Sequence, residues 1–197
     1  QMIGLGLLEA IPAIDILANA DPEDENADGI TGRPNIVMSN EYGIPMLGRF
    51  GLKAGMPTIR QQSAAAFAGD IGISNPLFPA AWGECTEKQG NCREAPHGDN
   101  DKRGYEIDHE GLDLVTFYSR NLAVPARRNV DNAQVLRGKE LFHSTNCTSC
   151  HVPSYVTHRL ADQPEQSFQL IWPYTDLLLH DMGCLLYTSP SPRDIGE

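Results

Sequence analysis

The chain has 197 residues, enough for one domain with a real core or for parts of two. Fifteen Lys and Arg against 26 Asp and Glu leave a formal net charge of −11, which argues against nucleic acid or an anionic membrane surface as partner, since both attract basic patches. Eighteen glycines and 14 prolines predict a loop-rich chain, and no apolar run approaches the ~20 residues that cross a bilayer, so no membrane span is expected.

Apolar clusters on either side of Ile11-Pro12 predict two short helices within residues 3 to 20. An acidic loop follows from Asp21 to Gly32, and residues 36 to 57 are rich in turn formers. Thr58-x-x-Gln61 has the form of a capping box that opens a helix through Ala64, Ala65, Ala66 and Phe67, stopping near Gly69. Residues 71 to 107 read as loop and hold Trp82, Cys85 and Cys92. Asp108 caps the next expected helix, with Leu112, Val115, Tyr118 and Leu122 as its apolar stripe and an end before Pro125. After Arg127-Arg128, Asp131-x-x-Gln134 caps another, with Val135, Gly138, Leu141 and Phe142 on one side. There is no short-period repeat and no strand signal beyond isolated β-branched residues. The fold class is mainly α.

The ends read as those of a fragment. Gln1 is no initiator, and Met2 is followed by neither a basic n-region nor a cleavage site. From Cys184 to Asp194 the sequence resembles a translated transposase sequencing adapter, so 184–197 is read as an artefactual tail; a genuine disordered tail would share its Ser/Pro composition. Setting Cys184 aside, four cysteines form two spaced pairs, Cys85-x6-Cys92 and Cys147-x2-Cys150.

Cys147-Thr148-Ser149-Cys150-His151 is the attachment signature of a c-type haem. Residues three apart lie on one face of a helical turn, which brings two sulfurs within reach of the two vinyl groups of one porphyrin, and His151 follows as proximal iron ligand. Covalent attachment also suits an oxidising compartment. Upstream, Gly138 with Phe142 one turn later lets that helix approach another backbone closely. Two other readings of the pair compete. A thioredoxin-like redox pair needs a βαβ setting that the chain lacks. A zinc-binding module using Cys147 and Cys150 needs a second ligand pair; Cys85 and Cys92 are spaced too widely for the usual knuckle, though His143 or His158 could contribute.

Five segments resemble the di-haem oxidoreductase (thiol-oxidoreductase-like) family of c-type cytochromes, related to bacterial di-haem cytochrome c peroxidases: residues 4–12 (GLGLLEAIP), 48–51 (GRFG), 57–62 (PTIRQQ), 117–128 (FYSRNLAVPARR) and 171–183 (IWPYTDLLLHDMG). The resemblance implies two cytochrome c-like domains, each with its own haem c. By analogy, residues 1–128 are the C-terminal part of a first domain whose motif lies upstream, and 129–183 the N-terminal part of a second. It implies an exported, periplasmic, peroxidase-like oxidoreductase that takes electrons from a donor protein or small redox carrier. With one attachment motif visible, the piece by itself is expected to be inactive. The alternative within the same chemistry is an electron-transfer cytochrome without catalytic activity.

Further candidate residues stand beside the motif. His180 and Met182 lie in a segment shared with the family and are candidate distal iron ligands; as core and a hydrogen-bonded histidine they would serve structure instead. His97, His109, His143 and His158 read as solvated or local. Asp24, Asn26, Asp28 and Ile30, with Gly29 at the turn, follow the first half of a calcium loop, but Asn35 stands where its bidentate Glu belongs. The resemblance adds that relatives carry calcium near the haem–haem interface; a solvated acidic turn is the other reading. Cys85 and Cys92 read as a disulfide closing an eight-residue ring, in preference to a resolving thiol pair. Trp82, Trp172 and Tyr174 offer an electron relay between haems, although packing is the commoner role of such aromatics.

Overall fold

Gly4, at φ +67°, donates its N–H to Leu122 O (2.8 Å) and opens helix α1 (Leu5–Glu9). Pro12 breaks the chain and precedes α2 (Ala13–Leu17), so the two short helices flank Ile11-Pro12 as expected. The turn-rich stretch folds into an antiparallel pair, β1 (Ile36–Met38) and β2 (Pro45–Leu47), with Ile36 opposite Leu47. Then come α3 (Ile59–Ile71), the short α4 (Gly90–Arg93), α5 (His109–Asn121) and α6 (Ala133–Ser144). A second antiparallel pair, β3 (Tyr155–Val156) and β4 (Leu170–Ile171), closes the order. This computed structural model describes residues 3–99 and 104–182, and the segment read as an artefactual tail, with Cys184, lies outside them. Among the described residues the fold is mostly helical and loop-rich, with six α-helices and two small sheets.

Several local expectations are corrected. The strands are two or three residues long, too short to show an alternating pattern, and tertiary pairing rather than propensity makes them. Thr58 caps α3 by accepting from Gln61 N (3.1 Å), but the box stays half closed, because Gln61 Oε1 accepts from Asn40 N (2.8 Å). The helix passes Gly69 and ends at Gly72, which takes the left-handed conformation (φ +69°) that a C-cap favours. Helix α6 is capped by Asn132, whose side chain accepts from Gln134 N (2.8 Å), and not by Asp131.

Of the expected stripe on α5, Leu112 is buried and Val115 and Leu122 are half-buried, but Tyr118 is turned out. Leu112, Thr116 and Ser119 face inward, whereas Leu114, Phe117 and Tyr118 lie about two-thirds exposed (65%, 64% and 65%). Small side chains are selected there because α5 packs on α3 and α1. A Cβ on Gly6 of α1 would sit 2.3 Å from Arg120 O, so only glycine permits that approach. Thr116 satisfies its hydroxyl within the helix, donating to Leu112 O at 2.7 Å.

One acidic side chain ties these helices together. Glu9 Oε2 accepts from Arg120 Nε (2.6 Å), and Oε1 accepts from both Arg120 Nη2 (3.2 Å) and the first helical N–H of α3, Ile59 N (2.8 Å). The carboxylate thus pairs with a cation on α5 and sits at the positive end of α3. Burial opposes the Arg120 charge, but its hydrogen bond and attraction to Glu9 win and hold its pKa above the ordinary value. Nearby, Arg49 Nη1 donates to Leu8 O (3.1 Å) and Ile11 O (2.6 Å), capping the end of α1.

The apolar cluster holds Ile11, Ile16, Leu47, Tyr155 and Ile171, with Leu7, Leu8, Val152, Leu177 and Leu178 packed against it. It draws on both sides of the expected boundary at 128/129. Backbone bonds cross the same line, from His158 N to Ala10 O (2.9 Å) and in an antiparallel bridge between Arg33 and Leu179. Helix α6 stands apart with no buried residue, and a Cβ on Gly138 would meet nothing within 4 Å, so the close helix approach expected there is absent among the described residues.

Three outcomes follow in urea and thermal denaturation. Ile11→Ala removes a fully buried side chain and should cost about 3 kcal/mol. Glu9→Gln removes a charge-assisted pair and should cost about 2 kcal/mol. Tyr155, buried and close to Asp176 and Asp15, has its phenol pKa pushed up to about 12. A raised pKa stabilises the protonated fold fully below the unfolded value of about 10, and that contribution is lost as pH rises from about 10 to 12. Tyr155→Phe should therefore flatten the alkaline fall in melting temperature across that window.

Candidate haem attachment site

Helix α6 runs to Ser144, and Asn146, at φ +63°, turns the chain into a 3-10 turn spanning Cys147–Ser149. Asn146 is one of the few residue types that adopt this left-handed conformation readily. Its Oδ1 accepts from Ser149 Oγ at 2.7 Å, and Thr145 Oγ1 lies 3.4 Å from Cys147 Sγ after donating to Leu141 O at 2.8 Å. Both Cys150 N and His151 N donate to Cys147 O, the latter at 3.0 Å, which folds the five-residue motif into one compact turn.

Cys147 and Cys150 are unpaired, the first exposed and the second half-buried. Burial, aided by Asp176, Asp28 and Cys147, pushes the Cys150 thiol above its ordinary pKa, so it stays protonated at neutral pH and is not the activated thiolate of a redox pair. His151 is exposed, and its Nδ1 lies 2.9 Å from Tyr174 O. A carbonyl can only accept, so this contact places the proton on Nδ1 and leaves Nε2 as the free donor atom for a metal. Two thiols on one turn beside an imidazole of fixed tautomer match the donor set of a c-type haem. Among the described residues, no group of three or more His, Cys, Asp or Glu side chains converges as a zinc or other metal site would require.

The segment 174–180 backs the motif. Tyr174 and Leu177 are both left-handed (φ 52° and 59°), a conformation that costs a non-glycine residue about 1–2 kcal/mol. The Tyr174 ring meets Phe142 of α6 edge-to-face (centroids 5.5 Å apart, interplanar angle 81°), and Phe142 lies 6.0 Å from the His151 ring. Asp176 N donates to Cys150 O at 3.1 Å, and its buried carboxylate accepts from Leu178 N (3.0 Å) and pairs with His180 Nε2 (2.6 Å). Sequence reading missed Asp176 and the proximal role of Tyr174. His151 and Tyr174 are 23 positions apart, and the stretch between them carries no periodic signal; the fold alone joins them.

The remaining candidates scatter. His180, the first distal candidate, is engaged by Asp176 and packed beside Gly32, while Met182 is largely exposed. In the acidic loop, Asp24 accepts from Gly29 N (3.1 and 3.2 Å), Asn26 Oδ1 from Asp28 N (2.9 Å) and Asp28 Oδ1 from Ile30 N (2.9 Å). Those side-chain oxygens thus accept from the loop's own backbone, while Asn26 and Asp28 are exposed. Cys85 and Cys92 are joined, with Cα atoms 5.9 Å apart. Trp82 stacks under Arg93, 4.5 Å from ring centroid to guanidinium. Trp172 and Tyr174 instead line a cavity of about 750 Å3 formed with Leu7, Leu8, Val124 and Leu170, on which none of the three motif side chains borders.

No curated protein and no solved structure matches the chain. A family model does, described as "Di-haem oxidoreductase, putative peroxidase", and it aligns over residues 1–189. That family is cytochrome c-like and its name implies haem as cofactor, in keeping with the donor set gathered around Cys147. Matched over nearly its whole length, this chain belongs to the di-haem oxidoreductase family.

Proposed function

We propose that Cys147 and Cys150 carry a haem c by two thioether bonds, with His151 as proximal ligand, in an exported, peroxidase-like di-haem oxidoreductase. The observation that carries this reading is the 2.9 Å contact of His151 Nδ1 with Tyr174 O beside two unpaired cysteines. When bound, haem supplies one-electron transfer and, with an open distal position, reduction of peroxide. The chain's own part is to tether, to orient the imidazole and to limit access. A second haem c, borne on a motif outside this sequence, and a donor protein or small redox carrier belong to the same proposal.

Between peroxidase and pure electron-transfer cytochrome, the pairing of His180 with Asp176 favours the first, because it commits one of the two distal candidates to a carboxylate. We include calcium in the Asp24–Ile30 loop, on the alternate oxygens of Asp24, Asn26 and Asp28 with the Ile30 carbonyl, since an oxygen that accepts one N–H keeps a further lone pair. Calorimetric titration with calcium chloride that released no heat would remove that ion from the proposal.

The haem assignment is tested by maturing the chain in a host equipped for cytochrome c assembly. Acid acetone should leave the haem on the protein. Cys147→Ala and Cys150→Ala should each give a pyridine haemochrome shifted toward a single-thioether species, and His151→Ala should lose the proximal bond. Haem extracted into the solvent, or unchanged spectra in all three variants, would overturn it. His180→Gln should leave the spin state unchanged and the iron should bind cyanide. A conversion to high spin in that variant, or iron saturated against cyanide, would select the electron-transfer cytochrome.

A further inference from the structure

We infer that Tyr174 is a positioning residue that sets the reduction potential of the haem at Cys147, acting through its backbone rather than its hydroxyl. The inference rests on the haem assignment above and goes beyond it. Tyr174 O is the hydrogen-bond partner of His151 Nδ1, at 2.9 Å. A carbonyl in that place fixes the tautomer and raises the basicity of the ligand, which favours the oxidised iron.

The carbonyl takes this aim because Tyr174 is left-handed, at φ 52°, where a residue with a side chain does not rest unless its surroundings hold it. Two contacts hold it. On one side its ring packs edge-to-face on Phe142, which itself lies against His151. On the other, Asp176 N is bonded to Cys150 O at 3.1 Å, so the chain is fastened to the motif two residues after Tyr174. Phe142 and Tyr174 therefore act as one unit: the ring contact keeps the strained backbone in place, and the backbone orients the imidazole. The phenol oxygen has no part in it.

The test is spectroelectrochemical titration of the haem-loaded chain, with acid-acetone-resistant haem and far-UV circular dichroism checked first in every variant. Tyr174→Phe keeps ring and backbone and should titrate as the unsubstituted protein does. Tyr174→Ala keeps the strain but loses the anchor, and should shift the ferric-to-ferrous ratio at fixed potential about tenfold toward ferrous, a rise of ~59 mV for a one-electron couple. Its iron–histidine stretching frequency should fall with it. Tyr174→Gly tolerates the left-handed conformation and should recover at least half of that shift. Phe142→Ala should match Tyr174→Ala, and the double variant should show no further change. An unshifted Tyr174→Ala, a Tyr174→Phe shifted equally, a Tyr174→Gly no better than Tyr174→Ala, or additive single shifts would each overturn the inference while leaving the haem assignment intact. Absence of covalent haem from the unsubstituted protein overturns both.

Discussion

The Glu9 carboxylate is where the helical scaffold meets. Its two oxygens are shared between the Arg120 guanidinium of α5 and the first N–H of α3, so one side chain at the end of α1 fixes three helices. A carboxylate in such a position must be fully paired, because a half-buried charge without partners costs more than the contacts it displaces. The close approach at Gly6, where Arg120 O leaves no room for a Cβ, follows from the same junction, as does the choice of Thr116 and Ser119 for the inner face of α5. Four of the five segments that carry the family resemblance supply residues around it: Glu9, Arg49, Thr58 and Arg120.

That scaffold reaches the motif through the fifth segment. Ile171 enters the core with Ile11 and Ile16, and from there the chain runs through Tyr174 and Asp176, which contact His151 and Cys150, to Leu179, which bridges to Arg33. The motif turn is therefore held by a strand-like segment anchored in the opposite half of the sequence. Helix α6, which presents the motif, is by contrast exposed except at the half-buried Phe142, through which its ring contact to the 174–180 segment passes. Rigidity at the motif comes from behind the histidine, on the side of the residues that fix its tautomer.

Local chemistry was legible wherever the code is local. The caps at Thr58 and Asp108, the break at Pro12, and the Cys147-x2-Cys150-His151 spacing each depend on atoms a few residues apart, and the structure places helix starts and the motif turn there. The miss at Asp131 is of the same local kind, because Asn132 is an equally good cap one residue on. The apolar stripe of α5 held at Leu112 and in part at Val115 and Leu122, but it included the exposed Tyr118 and left out Thr116 and Ser119, for a different reason. Periodicity identifies an amphipathic helix, but which face turns inward depends on how near the neighbouring backbones come, and here they come close enough to prefer Thr and Ser.

By itself, then, the sequence determined a mainly helical, loop-rich chain and the pair of sulfurs with an adjoining imidazole, since those depend on composition and on spacings within a single turn. Tertiary structure alone decided the short strands, the pairing of His180 with Asp176 and the partner of His151. His151 and Tyr174 lie 23 residues apart with no pattern between them. Their meeting depends on the core that Ile171 joins and on a left-handed backbone that no propensity would assign to tyrosine.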